Sequence, residues 1–139
     1  MDSLEILGEM PKPHDEIHQA EDPELQRELS SILMELMWND PVEGQADPFV
    51  PSFRGPGIYT FNRSVVEDFL EDNHALRMIR AHESSRGGFS SIFNGKLLHV
   101  FSTEPYFGTV PQAFILRELG DGTISACDLD GKKRMDISP

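Results

Sequence analysis

Five histidines and one cysteine are the side chains of this 139-residue sequence whose chemistry is most easily recruited. His14 and His18 stand four residues apart, a spacing that brings two imidazoles to one face of a helix and can hold a metal. Pro11 and Pro13 precede them, and no Glu or Cys completes a known ligand spacing. His74 falls where a helix should end, so its cationic form would meet the negative end of the dipole, a capping role. His99 alternates with apolar neighbours and reads as a sheet-face residue. His82 has a different setting. It follows the strand-like stretch Leu76–Ala81 and precedes Glu83, Ser84, Ser85, Arg86, Gly87 and Gly88. A neutral imidazole at a strand end, facing a glycine loop, is well placed to ligate a metal. Taken alone, the plainer reading of His82 is a structural histidine. Cys127 lies in a strand-like stretch and reads as a small buried apolar residue. There is no phosphate-cradling glycine loop of the nucleotide type, no Gly-x-Ser-x-Gly elbow and no Cys-x-x-Cys pair.

The elements that must position these residues follow from periodicity. Pro23 after Asp22 marks a helix start. Leu25, Leu29, Ile32, Leu33, Leu36 and Met37 then form one apolar face of an amphipathic helix over 23–38. Residues 39–57 hold Pro41, Pro48, Pro51 and Pro56 with Gly44, Gly55 and Gly57, which reads as a long loop. A loop of that length raises the odds of a role at a site. Ser64 and Glu67 have the spacing of a capping box, predicting a second helix to about residue 72. The period then changes. A short strand is expected over 76–81. Residues 89–93 and 96–102 flank Asn94-Gly95, a strong hairpin signal. Residues 113–118 and 123–129 flank Gly120-Asp121-Gly122, a second hairpin. The predicted class is α+β: two N-terminal helices, then about five mostly antiparallel strands. Residues 1–22 read as an acidic irregular lead-in, and 23–139 as one partial domain.

Charge narrows the partners. Lys and Arg number 12 and Asp and Glu 24, a net charge of −12. Phosphate backbones attract clustered cations, so no nucleic-acid partner is expected. Residues 1–47 carry 13 acidic and two basic side chains, a net of −11. Such a segment reads first as a solvated helix surface and second as a surface for a basic partner. No apolar run approaches 18 residues, so no membrane partner is expected. A single cysteine and the absence of a basic leader fit a reducing compartment, cytoplasmic or nuclear.

Four segments, taken together, resemble the metal-dependent serine/threonine phosphoprotein phosphatases, the PPP family of the calcineurin-like metallophosphoesterase superfamily. Trp38-Asn39-Asp40-Pro41 is similar to that family's Trp-Ser-Asp-Pro. Phe53-Arg54-Gly55-Pro56-Gly57-Ile58-Tyr59-Thr60-Phe61 resembles its Arg-Gly-x-Gly-x-x-Phe stretch, and the helix at Val65–Leu70 follows in the same place. Ile79-Arg80-Ala81-His82-Glu83 looks like its Arg-Ala-His-Gln/Glu strand end. Lys96–Ser102 and then Pro105-Tyr106-Phe107-Gly108 look like its Phe-Ser-Ala-Pro-Asn-Tyr-Cys-Gly turn. The resemblance covers residues 30–125 or so and implies the C-terminal half of an α/β/β/α sandwich. It implies His82 as a metal ligand, Arg54 as the grip on a substrate phosphate, and Tyr106 as a hydroxyl aimed at the same site. It implies two divalent ions, Mn or Fe/Zn, that hold and acidify the attacking water. The implied substrate is a phosphoserine or phosphothreonine protein.

The earlier loops of that family, Gly-Asp-x-His-Gly, Gly-Asp-x-Val-Asp-Arg-Gly and Gly-Asn-His-Glu, have no counterpart in this sequence. A further family ligand, in a His-Gly-Gly turn, matches Leu7-Gly8-Glu9, with Leu7 in place of the His. One imidazole cannot hold a hard dication tightly, because such ions need several ligands at once. The expectation is therefore an incomplete site, inactive alone. It would be a fragment of an active phosphatase, or half of a split enzyme whose missing N-terminal half is another polypeptide. The alternative is a degenerate, non-catalytic module acting as an acidic protein-binding or regulatory subunit. A half domain would also leave apolar faces open to association.

Overall fold

A computed structural model describes residues 22–85, 87–101 and 114–138 of the chain. The expectations for the lead-in over 1–21, for Leu7, His14 and His18, and for Tyr106 lie outside these residues. The chain divides into two compact units, Met1–Asn62 and Arg63–Pro139.

The first unit begins with helix α1, Pro23–Trp38. Its start is the expected one. Asp22 keeps an extended backbone, its carboxylate accepts from the N–H of Glu24 at 2.8 Å, and Pro23 occupies the first turn, where its missing N–H costs nothing. Leu29 is 1% exposed, with Leu25, Ile32 and Leu33 packed against it. The apolar face expected over the whole helix stops there, since Leu36 and Met37 are exposed, as is Met34. The helix ends at Asn39, whose backbone is extended and whose N–H still donates to Glu35.

Residues 39–57 are not the continuous loop that their prolines suggested. They contain strands β1, Asp40–Pro41, and β2, Phe49–Pro51, which flank β3, Tyr59–Phe61. β1 runs parallel to β3 and β2 antiparallel to it. Pro41 and Pro51 close the two edge strands, where a missing ladder donor is tolerated, and the central strand has no proline. The turn between β1 and β2 is pinned from its side chains. Thr60 Oγ1 donates to Gln45 Oε1 at 2.6 Å, Gln45 Nε2 donates to the carbonyl of Asp47 at 2.8 Å, and Asn62 Nδ2 donates to that of Ala46 at 3.1 Å.

The second unit opens with helix α2, Arg63–Asp72, which buries Val66 and Leu70. Ser64 sits inside its first turn rather than before it. The Glu67 carboxylate accepts from Arg63 at 2.8 and 2.6 Å. At the other end, His74 adopts φ +51° while its N–H donates to Glu71 and that of Ala75 donates to Leu70. This is the reciprocal C-terminal pattern that usually recruits glycine, so His74 closes the helix by backbone conformation.

Strands β4, Met78–Arg80, β5, Phe89–Ile92, and β6, Leu97–Val100, form a sheet in the order β4–β6–β5. β5 and β6 are the expected hairpin, joined through a 3-10 turn at Phe93–Gly95 in which all three residues have positive φ. β4 is parallel to β6. On the central strand the consecutive residues Leu97 and Leu98 are both fully buried, so both faces of this sheet are covered. Strands β7, Phe114–Glu118, β8, Ile124–Asp128, and β9, Lys133–Ile137, form an antiparallel meander with β8 at its centre. The Gly120–Gly122 hairpin falls where expected. β9 was not foreseen, and the described residues hold nine strands rather than about five. Cys127 is half-buried rather than buried. The two sheets meet where a β-carbon on Gly95 would lie 3.0 Å from Ile137, and where Arg77 Nη2 donates to the Gly122 carbonyl at 2.7 Å. Apolar side chains remain exposed in both units, Phe53 at 97% and Leu129 at 70% among them. Among the described residues no helix is long and apolar enough to cross a membrane.

Candidate functional site

Arg54 is placed by three neighbouring segments of the first unit. It lies in the turn that joins β2 to β3, closed by the Ser52 N–H donating to Ile58 at 2.8 Å and by the Ile58 N–H donating to Gly55. Gly55 and Gly57 have φ +147° and +77°, conformations that a side chain would strain. The Arg54 N–H donates to Ser52 Oγ at 3.2 Å. Its guanidinium Nε donates to Asp40 Oδ2 at 2.7 Å, and its Cζ lies 5.9 Å from the centre of the Trp38 ring. Trp38 and Asp40 stand at the end of α1 and the start of β1, and between them Asn39 Oδ1 accepts from the N–H of Tyr59 at 2.8 Å. So the Trp38–Pro41 segment carries the partners that orient Arg54.

The electrostatics follow from burial. The Asp40 side chain is 9% exposed and that of Arg54 25%. A carboxylate so buried needs its cation, because breaking such a pair leaves an uncompensated charge. The arginine is thereby tied to Asp40, and a quarter of its side chain remains exposed. A planar guanidinium, with its forked N–H donors, is the side chain suited to an oxyanion with two oxygens to offer. The sequence motif pointed to Arg54. It assigned no role to Asp40, although a carboxylate directly before proline, 14 residues ahead of the arginine, was the available signal.

His82 lies in the second unit, exposed, in the connection between β4 and β5, with φ +87°. A non-glycine residue in that region is strained and marks a functional or tightly constrained position. Next to it in sequence, the Glu83 carbonyl meets His99 Nε2 at 2.6 Å. His99 is the sheet residue that its alternation suggested, on the central strand β6, and it is 4% exposed. The signal for this was a polar side chain inside the apolar run Leu97-Leu98-His99-Val100-Phe101, which must find a hydrogen-bond partner when buried.

The implied pair of divalent ions can be tested against the donor set. Among the described residues, no three His, Cys, Asp or Glu side chains are grouped so that they could share an ion. The described residues therefore do not fit a dimetal centre, and no step through one is derived.

The structural comparison bears on the fold, and the sequence relatives bear on the class. The α+β arrangement of helices and small sheets matches that of a solved protein serine/threonine phosphatase from Saccharomyces cerevisiae, described as similar to human phosphatase PP5. The TM-score is 0.51 and the identity 24%, over 86% of this chain and 35% of that one. No protein-family model matches the chain. Its homologues are PPP-family serine/threonine phosphatases. Serine/threonine-protein phosphatase BSL2 of Arabidopsis thaliana is 37% identical over 92 residues, 66% of this chain and 9% of the relative. The PP2A-like phosphatase PPG1 of Candida albicans is 40% identical over 75 residues, 54% of this chain and 18% of the relative. Serine/threonine-protein phosphatase 5 of Arabidopsis thaliana is 31% identical over 112 residues, 78% of this chain and 20% of the relative. The chain thus spans a fifth or less of the length of these relatives and is homologous to a portion of a serine/threonine phosphatase.

Proposed function

We propose that this chain is the C-terminal portion of a metal-dependent serine/threonine protein phosphatase and that, by itself, it binds oxyanions without hydrolysing phosphoesters. The observation that carries the reading is Arg54, tied to Asp40 at 2.7 Å, beside the Trp38 ring and open to solvent over a quarter of its side chain. In this reading Arg54 grips two oxygens of a phosphoserine or phosphothreonine, Tyr106 adds a hydroxyl, and His82 contributes one ligand to a centre completed by other parts of the enzyme. A lone imidazole retains a divalent ion weakly, so the chain needs a complementary polypeptide or segment for turnover.

Two measurements test it. Inorganic phosphate or tungstate should perturb the fluorescence of Trp38, the one tryptophan of the sequence, with millimolar affinity. The response should vanish in Arg54→Ala. An undiminished response in that variant removes Arg54 from the reading. Incubation with Mn²⁺ and an aryl phosphate should give no turnover. Turnover that disappears in His82→Ala would show the site to be complete and the claim of inactivity wrong. If neither oxyanion binding nor turnover is found, while residues 1–47 capture a basic protein in a salt-sensitive way, the chain is instead an acidic regulatory module.

A further inference from the structure

The connection between β4 and β5 holds His82 at φ +87°, a conformation that a β-carbon disfavours and that persists only where its surroundings over-determine it. One residue on, the carbonyl of Glu83 meets His99 Nε2 at 2.6 Å. His99 occupies β6, the central strand, with Arg80 of β4 and Ser90 of β5 as its paired neighbours. It is 4% exposed, and the two residues before it in the strand are fully buried leucines. An aliphatic side chain would fill this position without the cost of burying a ring nitrogen. A carbonyl oxygen has no proton to give, so Nε2 carries the hydrogen and donates it. The bond crosses from the rigid centre of the sheet to the loop, 16 residues away in sequence.

We propose that His99 is a positioning residue: its Nε2–H clamps the Glu83 carbonyl and thereby holds the strained His82 backbone and the direction of its imidazole. The inference rests on the reading of His82 as a site residue, and it requires neither a bound metal nor turnover. Its physical basis is the imbalance between the two ends of the bond. β6 is paired on both sides and cannot give way, whereas the His82–Glu83 segment lies beyond the end of β4. Whatever tension the left-handed residue stores is resisted next to where it arises.

The test uses the full chain, isotopically labelled, and nuclear magnetic resonance. In the wild type the His99 ring should be protonated at Nε2, with that proton slow to exchange and close in space to the Glu83–Ser84 backbone. His99→Leu keeps an apolar volume and removes the donor. Backbone order parameters at His82, Glu83 and Ser84 should fall from the rigid range near ~0.85 to below ~0.6, and the His82 ring signals should shift. Leu97 and Leu98 should keep their rigidity. His99→Gln, whose amide nitrogen can reach the same carbonyl, should restore both readouts. A role in packing alone would loosen β4, β5 and β6 together in both variants, with no rescue by Gln, and that result overturns the proposal. So does a wild-type ring protonated at Nδ1 only. If His99→Leu fails to fold, the wild-type tautomer and the Gln variant decide the matter. Failure of oxyanion binding at Arg54 would sink the functional reading while leaving these signals unchanged, so the two failures are separable.

Discussion

Asp40 and Arg54 should be strongly coupled, and their coupling should outweigh that of any exposed ion pair in the chain. The bond between them is 2.7 Å long, the carboxylate side is 9% exposed and the guanidinium side 25%. Two unit charges about 4 Å apart at an effective dielectric constant near 20 attract by roughly 4 kcal/mol, which sets the ceiling. Desolvation of the carboxylate and water at the exposed part of the guanidinium reduce this. A hydrogen bond to a charged group nets about 1.5–3 kcal/mol, and the coupling energy should fall in that range. The assay is a double-mutant cycle of Asp40→Asn, Arg54→Met and their combination, each unfolded in urea and followed by Trp38 fluorescence. Arg54→Met alone should be the worst of the three, losing about 3–5 kcal/mol, because it takes the cation away from a buried carboxylate. The double variant should recover part of that loss. The exposed pair Arg63–Glu67, with side chains 49% and 39% exposed, should show no more than about 0.5 kcal/mol in the same cycle. A coupling between Asp40 and Arg54 below about 0.5 kcal/mol would refute the claim that the carboxylate positions the arginine, and with it the basis of the oxyanion site.

Other consequences are open to direct measurement. Gly95→Ala combines φ +83° with a β-carbon 3.0 Å from Ile137 Cγ2, and thermal unfolding should show a loss of about 2–3 kcal/mol. His74→Gly relieves a left-handed side chain at φ +51° and should stabilise the second unit by about 0.5–1 kcal/mol in a chemical denaturation series. The bond from Lys133 holds the Asp136 carboxyl below the ordinary aspartate value of 3.8, and the backbone N–H of Thr123 does the same for Asp121. Both pKa values are depressed in the folded chain. Their stabilisation is therefore complete above about pH 4 and lost as pH falls through the folded values. Amide signals of β8 and β9 should report that acid loss, and Asp136→Asn should flatten it. An acid response unchanged in that variant would count against the assignment.

Local signals in this sequence are legible because their physics is local. Asp22 and Pro23 start α1 with no help from distant residues. Asn94-Gly95 and Gly120-Asp121-Gly122 bend the chain because Asn94, Gly95, Gly120 and Gly122 take positive φ, and both hairpins follow. The family motifs were readable in the same way, as short strings naming Arg54, His82 and Tyr106. Tertiary structure decided what depends on partners far along the chain. β1 and β2 exist because β3 stands between them and accepts edge strands that end in proline, which no count of prolines reveals. The α1 face is buried at Leu29 and left open at Leu36 and Met37, since burial depends on what lies opposite and not on periodicity. The partners of the two chemically suggestive residues are likewise remote: Asp40 lies 14 residues from Arg54, and the His99 ring reaches back 16 residues to Glu83. Sequence alone specifies which side chains could do chemistry. Only the folded chain specifies which carboxylate, ring or carbonyl holds them, because a hydrogen bond needs two groups within about 3 Å and chain order does not encode that distance.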